Sequence, residues 1–197
     1  MFLVAGLGNP GEEYADTPHN LGFLAVDQLA AERGIRITRN DSKALTGVGV
    51  SESGVALMLA KPQTFMNLSG VSVKALLAKH EISPERLILV YDELDLPWGE
   101  VRIRPNGRPR GHNGVRSVAE QLGTEEFLRV RLGANPGHPL KSGADYLLSP
   151  FTRGQKKELE EALGAAARAV NSIIADGVEM SMAKFNRRAG GLLQEDR

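Results

Sequence analysis

The chain opens MFLVAGLGNPGEEYADTPHN (residues 1–20), and the fold turns on how this stretch is read. Phe2, Leu3, Val4 and Ala5 form a short apolar run of the kind buried in a sheet. GLGNPG then matches G-x-G-x-x-G at Gly6, Gly8 and Gly11. A dinucleotide-binding unit needs a strand before that motif, a helix opening inside it, and an acidic residue ending a second strand about 20 residues later. Only the strand is present. Pro10 has no N–H to offer a pyrophosphate, Glu12 and Glu13 would face it with negative charge, and EEYADTP has no helical period. Asp27 and Glu32 lie near the right distance but inside a helical pattern. Two readings stand ahead of the nucleotide one: a turn that swings the chain away from a strand end, or a loop that brings the Asn9 side chain up to a cleft.

Outward from this stretch, strands and helices alternate. Thr17 is placed to cap a helix with Pro18 in its first position, running from His19 or Asn20 to about Arg33 and closed by Gly34. IRIT, LTGVGVS and VALMLA read as strands, the last two joined by ESG as a hairpin. NLSGVSVKALLAKH reads as a helix beginning near Asn67. RLILVYD is a continuous apolar strand suited to burial on both faces. EVRIRP and FLRVRLGA alternate arginine with apolar residues, and NGVRSVAEQLG between them is a helix closed by Gly123. Two further helices are predicted, over about 152–176 and 178–185. This order predicts one α/β domain over residues 1–186, with helices on both faces of a mixed sheet and ligands bound outside the strand ends. Residues 187–197 read as a flexible tail.

The 197 residues suffice for one sizeable core, and no apolar run reaches the 18 residues of a membrane span. The N-terminus shows no signal-peptide pattern. Cysteine is absent, which removes disulfides, thiolate metal sites and a cysteine nucleophile, and fits a reducing cytoplasm. The 24 basic and 24 acidic residues cancel, but not locally. Arg102, Arg104, Arg108, Arg110 and Arg116 fall in a stretch without an acid, and Arg129, Arg131 and Lys141 follow. Acids concentrate in DELD (92–95) and KKELEE (156–161). One basic face on a neutral protein suits a polyanion that touches one side; a solvated arginine loop is the plainer reading.

The strand ends carry polar residues. Asn9 lies in the first loop, His19 and Asn20 in TPHN, Met66 and Asn67 after VALMLA, Asp92 after RLILVY, and His112 and Asn113 in GHNG. An asparagine at a strand end is most often a turn or cap residue, and a helix-start histidine most often faces solvent. Together they form a constellation. In the first turn of a helix, His19 would be favoured in its neutral form, which a general base needs, and Asp92 could hold its second ring nitrogen. Asparagine amides could bind a carbonyl and its developing oxyanion. Asp92, Glu93 and Asp95 could alternatively hold Mg²⁺, although no phosphate-cradling loop accompanies them. No G-x-S-x-G occurs, so water activated by His19 is the direct hypothesis. His80 and His138 sit in a charged helix end and a proline-rich turn, and no two histidines have metal-ligand spacing on one helix.

GLGNPGEEYADTPHNLGF, KPQTFMNLSG, YDELDLPWG, GHNG and the NPG at 135–137 resemble the bacterial peptidyl-tRNA hydrolase family, in order and at similar spacing across most of the chain. The resemblance implies a three-layer α/β/α sandwich around a mixed, mostly parallel twisted sheet. It implies a cytoplasmic esterase, usually monomeric, that needs neither metal nor cofactor and frees tRNA from peptidyl-tRNA of aborted translation. Carried over by position, His19 resembles the base and Asp92 its orienting partner. Asn9, Asn67 and Asn113 resemble amides that position peptide, water and 3′ end. Tyr14 and Met66 resemble cleft walls, and His112 a substrate-binding neighbour. Arg104 and Arg131 fall where the family clamps the tRNA 5′ phosphate, with Arg102 beside them. One segment departs: PNGRPRGHNG carries two prolines and two arginines where the family has a small glycine-rich gate, implying a stiffer, more basic loop. Plant organelle splicing factors resembling this family suggest the alternative of a non-catalytic RNA-binding protein on the same scaffold.

Overall fold

β1 (Phe2–Gly6) lies near the middle of a seven-stranded sheet in a computed structural model that describes residues 1–187. On one side follow β4 (Ala56–Pro62), β3 (Ala44–Val50) and β2 (Arg39–Asp41). On the other follow β5 (Leu87–Pro97), β7 (Leu128–Asn135) and β6 (Val101–Arg104). β1 pairs in parallel with β4 and β5, and β5 with β7. The outer pairings are antiparallel, so only β3 and β6 run against the rest. The sheet is mixed and mostly parallel.

Strand side chains alternate faces with a period of two, and here each face is apolar. Val4, Leu59, Ile88, Val90, Val130 and Leu132 pack under α1 (Leu21–Arg33) and α5 (Arg153–Asp176). Leu3, Ala5, Met58, Ala60, Leu87 and Leu89 pack under α2 (Ser69–Lys79) and α3 (Asn113–Leu122). That makes three layers, α/β/α. The pattern changes at the β7–β6 edge. Val130 and Leu132 pair across from Ile103 and Val101 on the α5 face. The opposite face of the same two strands therefore carries Arg102, Arg104, Arg129 and Arg131, and the 106–110 loop covers it instead of a helix.

Two features set up the cleft. The connection after β1 leads to α1 on one face, and that after β4 leads to α2 on the other, so a crevice opens between them. β5 also outruns β1. The last β1 pairing is Gly6 with Val90, which leaves Asp92 two residues beyond its neighbour's end. Gly6 and Gly22 bring α1 down onto this point. A Cβ at Gly6 would stand 2.1 Å from the Gly22 carbonyl oxygen, and one at Gly22 2.4 Å from that of Val90. Gly6 of GLGNPG thus serves close backbone packing, and Gly8 makes room for the Phe23 ring. The motif is followed by 3-10 turns at Glu12–Tyr14 and Pro18–Asn20, with no helix opening inside it.

Elsewhere the expectations meet local corrections. Gly34 (φ 64°) and Gly123 (φ 69°) close α1 and α3 in the left-handed conformation, and Thr152 and Gln155 form a capping box on α5. Thr17 has extended dihedrals, but its hydroxyl donates to Tyr14 O at 2.8 Å and caps nothing. IRIT is not a strand: Ile35 N–H closes the end of α1 on Ala30 O at 2.9 Å, and Ile35 and Ile37 pack on the core, so pairing starts at Arg39. A short helix, α4 (Gly143–Leu147), was not expected, and α6 (Val178–Phe185) was. After α6, Asn186 bonds both the N–H and the C=O of Ile103 at 2.9 Å, continuing the open edge of β6. The expected tail at 187–197 lies outside the described residues apart from Arg187. No helix among them is long and apolar enough to cross a membrane.

Candidate active site

A cleft of about 610 Å³ opens where the C-terminal ends of β1, β4 and β5 meet the start of α3. Asn9, His19, Met66, Asn67, Asp92, His112 and Asn113 all border it. The structure thus brings together seven side chains: five from the connections that lead into α1, α2 and α3, Asn113 from the first turn of α3, and Asp92 from strand β5. Tyr14 does not border the cleft; it closes the 3-10 turn at Glu12–Tyr14.

Asp92 is the hub. It is 1% exposed and accepts from two imidazoles. His19 Nδ1 lies 3.0 and 2.9 Å from its two oxygens, and His112 Nε2 lies 2.9 Å from Oδ1. The tautomers follow from the remaining partners. His112 caps α3, and its Nδ1 accepts from Gly114 N–H at 3.2 Å, so its proton sits on Nε2 and is donated to Asp92. His19 donates from Nδ1, which leaves its Nε2 lone pair free beside the cleft. Burial opposes charge on the Asp92 carboxyl, but the two imidazoles outweigh it and hold the group far below the ordinary carboxylate range. Burial likewise opposes charge on His19, and the Asp92 charge and hydrogen bond outweigh it, so the His19 pKa is raised. The helix-start effect expected for His19 is therefore overridden. A carboxylate at 2.9 Å acts more strongly than the partial charge of a helix end.

Asn9 is fixed from three sides. Its N–H donates to Asn20 Oδ1 at 2.9 Å, and Asn20 Nδ2 donates to its carbonyl at 3.0 Å. Its own Oδ1 accepts Met66 N–H at 2.8 Å. The side-chain amide is thereby oriented with Nδ2 as a spare donor. Asn67 and Asn113 are exposed at the cleft mouth, on the 3-10 turn Met66–Leu68 and in the first turn of α3. Phe65, Leu94, Leu147 and Leu148 give the cleft an apolar wall.

Among the described residues, the single group of His, Asp and Glu side chains close enough to share an ion is His19, Asp92 and His112. Asp92, Glu93 and Asp95 do not converge as the Mg²⁺ alternative required. Glu93 faces Arg131 instead, with Oε2 accepting from Nη2 at 2.8 Å and Nε at 3.1 Å.

A second cavity, about 210 Å³, adjoins the cleft. Arg104 and Arg131 border it with Arg108, Arg110 and Arg129. Arg102 does not; Glu100 holds its guanidinium. Arg129 is 2% exposed and ties the loop down through Arg108 O at 3.4 Å.

Sequence reasoning placed the histidine, the aspartate and the three asparagines at one cleft. It gave no role to Asn20, placed Glu93 only in the Mg²⁺ alternative and not opposite Arg131, and did not see that His112 shares Asp92. The signals were thin: Asn20 is one residue past His19 and Glu93 one past Asp92, while their partners lie 11 and 38 residues away.

Known proteins match along the whole chain. A family model described as peptidyl-tRNA hydrolase covers residues 3–191. The chain is 59% identical to a peptidyl-tRNA hydrolase of Solibacter usitatus (strain Ellin6076) over 196 residues, covering 100% of each. It is 50% identical to that of Koribacter versatilis (strain Ellin345), covering 95% of this chain and 94% of the other. The crystal structure of peptidyl-tRNA hydrolase from Acinetobacter baumannii superposes with a TM-score of 0.85 at 34% identity, covering 94% of each chain. With sequence and fold agreeing end to end, the chain belongs to the peptidyl-tRNA hydrolase family.

Proposed function

We propose that this chain hydrolyses the ester that joins a peptide, or an N-blocked aminoacyl group, to the 3′-terminal ribose of tRNA, with His19 as the base that activates water. The observation that carries the reading is His19 held through Nδ1 by the buried Asp92, with Nε2 free in a cleft bordered by asparagines.

Water attacks the ester carbonyl carbon while His19 Nε2 takes its proton. Asp92 keeps the imidazole in the right tautomer and stabilises the imidazolium that forms. Negative charge moves to the carbonyl oxygen, where the Asn67 and Asn113 amides donate, and Asn9 Nδ2 supplies a third donor for the peptide part. The tetrahedral species collapses, the ribose oxygen leaves, and the imidazolium returns the proton. Met66 and the apolar wall shape the cleft. His112 serves from behind, anchoring Asp92, and Tyr14 is at most an outer wall of the approach. We read His19, Asp92 and His112 as a hydrogen-bonded set, because His112 Nδ1 already accepts a backbone N–H and its Nε2 is therefore a donor. The proposed chemistry needs neither metal nor cofactor.

The tRNA backbone lies over the arginine edge, with Arg104 and Arg131 at the 5′ phosphate. Arg102 adds to the local field from beside them. Residues 1–186 act as one catalytic domain, a monomer in the cytoplasm, recycling tRNA from aborted translation. The test offers the purified protein N-acetylated and free aminoacyl-tRNA separately. Release from the blocked ester alone supports the reading. Tight binding without release would replace it with a non-catalytic RNA-binding role.

A further inference from the structure

Arg110 borders both cavities, the ester cleft and the arginine-edged one. Its backbone has φ 47°, and Gly111 follows with φ 88°. His112 N–H closes the turn on Pro109 O at 3.1 Å. Positive φ at both central residues is the type I′ pattern, whose first central position favours glycine or asparagine; an arginine there is strained. The turn is also held at its ends. Pro105 and Pro109 fix two φ angles, Asn106 bonds Glu126 at 3.1 Å, and Arg129 bonds Arg108 O. His112 anchors the far side on Asp92.

Three other arginines of this edge are engaged: Arg131 by Glu93, Arg102 by Glu100, Arg129 by two backbone carbonyls; Arg104 and Arg108 border the arginine cavity but not the ester cleft, so Arg110 alone spans both. Among the described residues no such partner holds the exposed Arg110. A strained, unpartnered cation is thus presented by a pinned turn at the junction of the two cavities.

We infer that Arg110 is a specificity-determining residue that contacts the phosphodiester on the 5′ side of the terminal 3′ nucleoside. This rests on the proposed hydrolase reading. If the ester lies at His19 and the 5′ phosphate in the arginine cavity, the strand between them is the acceptor's 3′ end, and its last phosphate passes the junction where Arg110 stands. The arginine then ties recognition of nucleic acid to ester placement within one turn of the base's own support.

The probes are 3′-O-(N-acetylaminoacyl) esters of adenosine and of adenosine 5′-monophosphate, together with N-acetylaminoacyl-tRNA carrying or lacking its 5′ phosphate. Arg110→Gly suits the turn, so folding is favoured, and Arg110→Lys keeps the charge. The wild type should prefer the phosphorylated ester through KM by about 1.5- to fivefold, the worth of one exposed charged contact. Arg110→Gly should erase that preference, and Arg110→Lys should restore most of it. The same loss should persist on tRNA lacking its 5′ phosphate, whereas the effect of Arg104→Ala should vanish there. With uncharged tRNA, the salt slope of Kd should fall by about 0.7 in Arg110→Gly, as for one contact to a single strand. A preference that survives Arg110→Gly overturns the assignment. So does a loss that disappears with the 5′ phosphate, since Arg110 would then belong to the 5′ site. Wild-type protein that releases nothing from any ester overturns the hydrolase reading instead, and the salt slope still reports on Arg110.

Discussion

Asp92→Asn should lower the rate and at the same time move the acid limb of the pH profile downward. The carboxylate is 1% exposed and receives three close contacts from two imidazoles. An asparagine keeps the shape and one acceptor but loses the charge, and it puts an NH₂ where one oxygen stood. A hydrogen bond to a charged group contributes about 1.5–3 kcal/mol, or roughly 10- to 150-fold in rate. Facing an NH₂, His19 also tends to turn its Nδ1 into an acceptor, which moves the proton onto the nitrogen that should take one from water. Together these place the plateau loss at about 10²–10⁴-fold. The pH effect has an independent sign. Burial lowers the His19 pKa, and the Asp92 charge and hydrogen bond together more than offset it. With the charge removed, burial stands alone and the His19 pKa falls. The assay is kcat/KM on N-acetylaminoacyl-tRNA from acid to neutral pH for both proteins. A lower plateau reached at lower pH is the expected pair. An acid limb that stays in place or moves up would refute the coupling of His19 to Asp92, whatever happens to the rate.

Asn20→Ala removes two bonds to the backbone of Asn9; unpaired buried groups cost about 1–3 kcal/mol each, so calorimetry should show a melting point lower by roughly 4–24 °C, with KM raised as Asn9 loosens. Arg104→Ala should lower the salt slope of tRNA binding by up to about 0.9. Arg131→Ala should weaken binding more, because it strips the partner from Glu93 beside the phosphate, and Arg131→Ala with Glu93→Gln should bind better than Arg131→Ala alone. Asp41, buried between Lys79 Nζ at 2.7 Å and His80 Nε2 at 2.8 Å, is held far below its ordinary pKa, first by Lys79. Its stabilisation is present above the carboxylate's ordinary range and is lost as pH falls through the depressed value, so the melting-point gap between wild type and Asp41→Asn should narrow in acid while kcat at neutral pH is unchanged.

The readable parts of this chain were those that local chemistry dictates. Gly34 and Gly123 mark helix ends because each sits in the left-handed region, and Thr152 with Gln155 is a capping box written four residues long. RLILVYD was legible as a buried strand from its apolar run, but the extension of β5 through ELDLP was not, because pairing of Glu93 and Pro97 with β7 rather than propensity carries the strand on. IRIT misled for the opposite reason: its isoleucines are apolar because they wrap the end of α1 onto the core. At the site, the residue types at the strand ends were visible and offered His19 and Asp92 as a base and its orienting partner; the finer assignment of single asparagines and arginines to parts of the substrate came only from the family resemblance. The second imidazole on Asp92 was invisible to spacing, since His112 and His19 reach the carboxylate from opposite sides of the chain's order. The arginine alternation in FLRVRLGA was legible as a basic face, but not that Glu93 would occupy Arg131.

The most direct measurement is single-turnover release from N-acetylaminoacyl-tRNA by His19→Ala beside the wild type, with Kd for uncharged tRNA measured on both proteins. If His19 Nε2 activates the water, release should fall by about 10²–10⁴-fold while Kd stays close to that of the wild type. Release at near wild-type rate by His19→Ala, with binding intact, would contradict the assignment of the base.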